Sequence, residues 1–244
     1  MTSGECLSYE ARDGVAVITM NRPHARNALD SGLSTALVEA LARAERDPRI
    51  AVIVLTGTDP AFCAGLDIKE FWDKGRVPVG ASEAIRAAGA LTKPAIGAIN
   101  GPVMTGGLEL ALGLDFLIAS QHARFADTHA KVGLLPGGGM SARLPRAVGE
   151  RMARELSYTG RVVGAEEALR LGLVNRVVPH AELLPATLQV AGDIVSKDAD
   201  IVRQLKRLYD VSVLTDAGAA LAYEVSERDR RRAAAGDLVP RPLD

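Results

Sequence analysis

Two glycines followed closely by a glutamate, in an otherwise apolar segment, are the residues of this chain most suited to chemistry. They are Gly106, Gly107 and Glu109, within residues 100–120. Burying a carboxylate costs several kcal/mol unless it is paired or neutralised. If a helix begins near Thr105, its first N–H groups lack partners within the helix and carry partial positive charge, and glycines let a ligand approach them closely.

The spacing of Gly106 and Glu109 would bring a donor and a proton carrier to one cavity. Residues three apart share one side of a helix. The N–H of Gly106 would donate to a carbonyl oxygen, while the carboxylate of Glu109 would move a proton nearby. These two groups are the minimum that a reaction next to a carbonyl group requires. The same spacing suits a salt-bridged Glu109 without a chemical role, and on spacing alone both interpretations stay open.

The composition is that of a globular protein with a sizeable core. The 244 residues are 48% hydrophobic and 24% charged, with a formal net charge of -1, which suits one large domain or a domain with an appendage. This charge does not favour a nucleic-acid partner. The basic cluster ERDRRR at residues 227–232 is interpreted as a solvated helix face. Cys6 and Cys63 cannot build a disulfide framework and fit a reduced, cytoplasmic setting.

The sequence gives no reason to expect a membrane segment. The first residues lack a basic region followed by an apolar stretch, so no signal peptide is expected. Glu109 and Asp115 interrupt the most apolar segment, and a span would need about 18 uncharged apolar residues.

The sequence does not support three motifs that would imply a cofactor or a hydrolytic triad. The glycines of residues 137–142 match the spacing of a dinucleotide fingerprint, but they follow a proline rather than a strand, and no acidic strand end follows. Neither a GxSxG elbow nor a Walker A sequence occurs. The four histidines lack metal-ligand spacing, so no metal site is expected.

Apolar patterning predicts an α/β core followed by a helical tail. Strands are predicted at residues 14–20, 50–57, 93–100, 115–120 and 175–179. Helices are predicted at residues 31–47, 82–91, 105–114 and 164–173 and from Met140 onward, with a short one opened by the loop of residues 58–71. Asn27 or Asp30 would cap the first of these helices. About three further helices are expected after residue 180, so the predicted division is a core at 1–180 and a helical region at 181–244.

Five stretches, in order and at matching spacing, resemble the crotonase family, the enoyl-CoA hydratase/isomerase superfamily, over essentially the whole chain. They are NRPHARNAL, AFCAGLDIKEF, KPAIGAINGPVMTGGLELAL, RFADTHAKVGLLPGGG and GAEEALRLGLVNRVVP. The resemblance implies a crotonase-like spiral of ββα turns with a C-terminal helical trimerisation region. It also implies an acyl-CoA thioester as substrate and a homotrimer, or a hexamer made as a dimer of trimers.

The resemblance assigns roles to individual residues. The N–H groups of Leu66 and Gly106 would form an oxyanion hole for the thioester oxygen, and Glu109 would be a catalytic glutamate. The CoA-binding positions would be Ala64, Asp67, Ile68 and Lys69 in the adenine-binding stretch, and Arg26 near the phosphates. Asp67 is expected mainly to shape the loop, and a surface ion pair accounts equally well for Arg26. Residues 71–90 are expected to line the acyl pocket.

One departure from the family pattern concerns the second catalytic glutamate. Counting from Phe125 and back from Gly133 places His129 at its position. A histidine can also accept and donate a proton near neutral pH, so His129 would hold water beside Glu109 or be a spectator. The C-terminal end also departs from the usual family ending, so contacts to CoA from there are not carried over.

The function that fits best is that of an enoyl-CoA hydratase, a hydro-lyase that adds water reversibly to a trans-2-enoyl-CoA. No metal or redox cofactor is expected, because backbone dipoles would hold the enolate charge, and coenzyme A is part of the substrate. The alternatives are another crotonase-type reaction (isomerase, hydrolase or retro-aldol lyase) and a non-catalytic acyl-CoA-binding protein. Glu109 argues against the binding protein, and the loss of the second glutamate argues for it.

Overall fold

The computed structural model describes residues 6–235. The strands of its main sheet are β1 Leu7–Arg12, β2 Val15–Met20, β3 Val52–Gly57, β4 Ala95–Ile99, β6 Phe116–Ser120 and β9 Arg176–Val178. They lie in the order β1-β2-β3-β4-β6-β9 and are parallel except for the antiparallel pair β1–β2. The five strands predicted from apolar runs are all present. β1 was not predicted, because its sequence LSYEAR is mostly polar and exposed, as suits an edge strand.

A second, three-stranded sheet lies close to the candidate site residues. Its strands are β5 Pro102–Met104, β7 Arg124–Ala126 and β8 Val163–Gly164, in the order β5-β7-β8. β5 and β7 are parallel, whereas β7 and β8 are antiparallel. Segments of two or three residues give no periodic signal, so the sequence did not predict these strands.

Eleven α-helices lie in the described part of the chain. Eight of them precede residue 180: α1 Ser31–Arg46, α2 Ile68–Lys74, α3 Ala81–Ala88, α4 Gly106–Leu112, α5 His129–Val132, α6 Met140–Val148, α7 Glu150–Thr159 and α8 Ala165–Arg170. The other three are α9 Leu183–Val195, α10 Ala199–Leu214 and α11 Ala217–Ala235, and short 3-10 turns occupy Pro23–Ala25 and His180–Glu182. None of these helices is long and apolar enough to cross a membrane.

The helix after β2 shows how local sequence sets an element. Asp30 caps α1 by accepting a hydrogen bond from the N–H of Leu33 at 2.7 Å. Leu33, Leu37 and Leu41 recur at helical spacing and are all buried. They belong to the larger apolar core, which covers one face of the main sheet.

Helix α9 covers the other face of the sheet, because Leu183 and Ala191 belong to a second apolar cluster together with Val54 of β3 and Ile96 of β4. β3 is therefore buried along its whole length, as its uninterrupted apolar sequence predicted. The predicted α/β class, with helices at the C-terminal end, is confirmed.

The chain divides into two compact units, one ending at Lys197 and the other beginning at Asp198. In the second unit α10 packs against α11. The division lies beyond the boundary that the sequence suggested after residue 180, because α9 packs on the main sheet and belongs with the core. A local helical pattern does not reveal which of the compact units a helix belongs to.

Candidate active site

The start of α4 lies against the loop that precedes α2. Cys63 and Val103 form an isolated β-bridge, and the N–H of Met104 donates to the carbonyl of Cys63 at 3.0 Å. A Cβ at Gly107 would lie only 2.2 Å from that same carbonyl oxygen. Position 107 therefore requires glycine, because any side chain would push the helix away from the loop.

Two backbone N–H groups converge at this contact. A Cβ built on Gly106 would lie 3.7 Å from the nitrogen of Leu66, and one built on Gly65 would lie 3.3 Å from the nitrogen of Gly106. The neighbouring groups are occupied, since Leu29 donates to the carbonyl of Gly65 at 2.7 Å and accepts from the N–H of Asp67 at 3.1 Å. Within residues 6–235, neither the Leu66 nor the Gly106 N–H has a hydrogen-bond acceptor. Both are available to a ligand oxygen.

The turn that aims the Gly106 N–H is strained. Thr105 has φ 51° and ψ −109°, which a β-branched residue rarely adopts. Its N–H donates to the carbonyl of Ala126 at 2.9 Å, and its hydroxyl shares a short hydrogen bond with that of Thr128. The turn is thus held by the segment that leads into α5.

Glu109 is 3% exposed and accepts two backbone hydrogen bonds through Oε1, from Gly138 at 2.7 Å and from Met140 at 3.1 Å. No lysine or arginine pairs with it among the described residues. Within the described chain, Glu109 is therefore not salt-bridged to a lysine or an arginine, and the ionisable group that the structure places beside it is His129. The N–H groups leading into α6 compensate the buried carboxylate, leaving Oε2 turned towards His129.

The glycine-rich segment at residues 137–142, which does not qualify as a dinucleotide-binding motif, contacts Glu109 instead. A Cβ at Gly138 would lie 2.9 Å from Oε2 of Glu109 and 2.4 Å from Cγ2 of Ile85. Ile85, in α3, also flanks Gly106, so part of the predicted pocket segment lies beside the site. Elsewhere in that segment Trp72 is 74% exposed. Gly138 was not predicted to be a site residue, and the only sequence feature that marked it was its place in a run of glycines.

His129 shares the site with Glu109. It is 8% exposed, and its Nε2 lies 3.8 Å from Oε2 of Glu109. Its Nδ1 lies 2.6 Å from Oδ1 of Asp127, which is 3% exposed. Burial by itself would raise the pKa of Asp127, but hydrogen bonds from His129 and Ser157 lower the pKa below its ordinary value. Sequence reasoning missed Asp127, whose only signal was its place two residues before His129.

Asp67 has structural contacts. Its Oδ2 pairs with Arg22 at 3.0 Å, and its Oδ1 caps α2 by accepting from the N–H groups of Lys69 and Glu70 at 3.1 Å and 3.3 Å. The buried Arg22 also pairs with Asp30 at 3.1 Å. Arg22, which sequence reasoning missed, thus ties the loop carrying Leu66 to the start of α1.

The remaining expected CoA-binding residues lie along the same loop. The N–H of Ala64 donates to the carbonyl of Arg26 at 3.0 Å, which places the two side by side. Arg26, Ile68 and Lys69 are exposed. No carboxylate of the described chain pairs with Arg26, so the alternative of a surface ion pair finds no partner there. The described residues also contain no group of three or more His, Cys, Asp or Glu side chains able to hold a metal ion.

Comparison with known proteins gives concordant matches. The sequence model of the enoyl-CoA hydratase/isomerase family matches residues 10–227. The chain is 37% identical over 232 residues to a crotonyl-CoA hydratase of Syntrophomonas wolfei, covering 90% of this chain and 87% of that protein. It is 38% identical over 213 residues to a probable peroxisomal enoyl-CoA hydratase of Arabidopsis thaliana, covering 86% and 80%.

Solved structures agree with the sequence matches. An enoyl-CoA hydratase from Mycobacterium tuberculosis superposes with a TM-score of 0.79 at 47% identity, covering 93% of this chain and 99% of the other. One from Bacillus anthracis gives a TM-score of 0.87 at 32% identity, covering 92% and 90%. With the family match spanning most of its length, this chain belongs to the enoyl-CoA hydratase/isomerase family.

Proposed function

We propose that this protein is an enoyl-CoA hydratase, which adds water reversibly to a trans-2-enoyl-CoA. The observation that carries the proposal is the convergence of two unpartnered N–H groups, on Leu66 and Gly106, beside the buried pair of Glu109 and His129. The relatives named as crotonyl-CoA and enoyl-CoA hydratases support the same reaction.

In the proposed mechanism, the thioester oxygen accepts from the N–H groups of Leu66 and Gly106. Water held by Glu109 and His129 attacks C3, the π electrons of the double bond move towards C2 and the carbonyl, and an enolate develops. Each N–H donor stabilises such charge by about 3 kcal/mol. The proton released by the water is exchanged through Glu109, and C2 takes up a proton to complete the hydration.

Backbone donors would hold all of the developing charge, so the proposed reaction requires no metal or redox cofactor. Coenzyme A enters as part of the substrate. Arg26 and Lys69 would meet its phosphates at the surface, and the loop from Ala64 to Ile68 would hold its adenine. Asp67 would act there through the loop, because its carboxylate is already occupied by Arg22 and by the cap of α2.

Two further proposals concern assembly and location. We propose a homotrimer, or a hexamer of two trimers, with α10 and α11 between subunits, because large apolar side chains such as Tyr209 and Leu214 are exposed on these helices. We also propose a cytoplasmic location without a nucleic-acid or membrane partner, supported by two free, buried cysteines and a formal net charge of -1.

Crotonyl-CoA tests the reaction directly. The expected result is loss of the enoyl absorbance with formation of 3-hydroxybutyryl-CoA and no free CoA. Release of free CoA would indicate a hydrolase, and a product with a shifted double bond from a longer enoyl-CoA would indicate an isomerase. Saturable binding without turnover would identify an acyl-CoA-binding protein and overturn the proposal.

A further inference from the structure

The side chain of Asp127 meets His129 twice. Its Oδ1 accepts the backbone N–H of His129 at 3.1 Å and lies 2.6 Å from Nδ1 of the ring. The two contacts fix both the position of the residue and the direction of the imidazole. Asp127 itself lies at the end of β7 and is buried beside Ser157.

The charge of Asp127 determines which ring nitrogen of His129 carries the proton. Its lowered pKa means that the carboxyl is ionised at neutral pH. An ionised carboxylate only accepts hydrogen bonds, so Nδ1 must donate. In the neutral ring, the lone pair then resides on Nε2, the nitrogen that faces Glu109.

The distance between Nε2 and Oε2 of Glu109 suits one bridging water molecule. At 3.8 Å it is too long for a direct hydrogen bond, but a water could bond to both atoms at about 2.8 Å. With Nε2 unprotonated, both atoms are acceptors, and they would take both O–H bonds of the water. The lone pairs of the water oxygen would then be free for attack on a substrate carbon.

We propose that Asp127 is a positioning residue that holds His129 in its Nδ1-protonated tautomer and thereby orients the water that attacks the substrate. The kinetic part of this inference rests on the proposed hydratase function, whereas the tautomer does not. With the proton on Nε2 instead, the ring would donate to the water, which would occupy one of the two oxygen lone pairs and leave one O–H bond without its acceptor on His129.

Other charged groups near His129 do not compete for its ring. Glu109 and Asp127 are the ionisable groups whose contacts with the ring the structure describes. Lys131, on the same helix, donates to the carbonyl of Gly160 at 2.6 Å. The charged side chains of the neighbouring α7 are exposed to solvent: Glu150, Arg151, Arg154 and Glu155.

The tautomer is measured by 15N NMR of the imidazoles, because the two ring nitrogens have different shifts when protonated and unprotonated. The chain has four histidines, and His129→Ala identifies the signals of His129. Wild type should carry the proton on Nδ1. Asp127→Ala removes the acceptor and should shift the population towards the Nε2-protonated form, whereas Asp127→Asn keeps an acceptor oxygen and should retain Nδ1. A wild-type ring protonated on Nε2, or an unchanged tautomer in Asp127→Ala, overturns the proposal.

Kinetics then separate positioning from a merely structural role. With crotonyl-CoA, Asp127→Ala should lower kcat about 100-fold, the loss typical of a misplaced catalytic group, with KM close to the wild-type value. Asp127→Asn should recover a large part of kcat. In a His129→Ala background, Asp127→Ala should cause no further loss, because its effect passes through His129. An equal loss of kcat in both backgrounds would show that Asp127 acts independently of His129. Failure of wild type to hydrate crotonyl-CoA would overturn the proposed function and leave the NMR result as the test of the tautomer.

Discussion

The backbone N–H of Gly138 donates to Oε1 of Glu109 at 2.7 Å, across 29 positions of sequence. This bond explains how a carboxylate can remain inside an apolar helix without a lysine or arginine partner among the described residues. Together with the N–H of Met140, it holds one oxygen and leaves the other directed at His129. The glycine and the glutamate are therefore one structural unit.

Replacing Gly138 with alanine should disable the enzyme without unfolding it. The new Cβ would lie 2.9 Å from Oε2 of Glu109 and 2.4 Å from Ile85, so both side chains must move. A displaced carboxylate should lower kcat for crotonyl-CoA about 100-fold. Gly137→Ala is the matched control, because nothing lies within 4 Å of a Cβ there. Similar kcat values for the two variants would contradict this view of Gly138.

Gly106→Pro removes one of the two donors of the candidate oxyanion hole. Proline is tolerated at the first position of a helix, but it disfavours the φ of 51° and ψ of −109° of the preceding Thr105, so circular dichroism first establishes that the variant is folded. Its kcat/KM should fall about 100-fold or more, as on losing one oxyanion donor. Gly106→Ala keeps the N–H, and its Cβ would meet the nearest atoms at 3.6–3.7 Å, so it should retain more activity. A folded proline variant with unimpaired turnover would place the oxyanion hole elsewhere.

Glu109→Gln tests proton handling with little change of shape. The amide oxygen can still accept from Gly138 and Met140, so the fold and the affinity for a non-reacting acyl-CoA should persist. Loss of the carboxylate should reduce kcat by about 100-fold or more. The measurements are crotonyl-CoA kinetics and calorimetric titration with butyryl-CoA. Wild-type turnover in this variant would assign Glu109 a structural role only.

The proposed assembly is measured by light scattering at micromolar concentration. Three or six chains of 25.7 kDa are expected, because apolar side chains on α10 and α11 would be buried between subunits. Leu214→Glu, at a residue 83% exposed in the single chain, should lower the mass, whereas Gln121→Glu adds the same charge at an exposed residue outside α10 and α11 and serves as control. The mass of a single chain in wild type would rule out the trimer and the hexamer.

Lowering the pH should weaken the contact that Glu70 makes between α2 and α1. Its carboxylate accepts from the N–H and hydroxyl of Ser31, at 2.8 Å and 2.5 Å, and from Lys74 at 2.5 Å. Burial by itself would raise the pKa of Glu70, but these hydrogen bonds lower it from 4.5 to about 2. Because the folded-state pKa is the lower one, this stabilisation is present above pH 4.5 and is lost as the pH falls towards 2.

Glu70→Gln should therefore be less stable than wild type at neutral pH, and the difference should shrink between pH 4.5 and about 2. Urea unfolding at several pH values measures this difference in the free energy of unfolding. Glu83→Gln serves as the control, since it changes a first-turn acidic residue of a different helix, α3. A difference between Glu70→Gln and wild type that does not change with pH would show that the ionised form of Glu70 is not what stabilises this contact.

Elements with local sequence signals follow from the sequence alone. The apolar run of β3, the leucines of α1 with their cap at Asp30, and the helix that follows Gly106 were all predictable, because burial and capping impose short-range periodicity. The family and its fold were likewise predictable, since five ordered stretches carry the resemblance. The place of Glu109 in a helix was predictable, but the partner of its carboxylate was not.

The groups that complete the candidate site come together through contacts between distant segments. Oε1 of Glu109 is held from 29 positions away, and the buried Arg22 reaches Asp67 across 45. Asp127 is close to His129 in sequence, yet its contact with Nδ1 depends on how β7 leads into α5. Helix α9 looked like part of the tail and packs on the sheet instead. A hydrogen bond or a packed face depends on where separate segments meet, and that is set by the folding of the whole core rather than by local pattern.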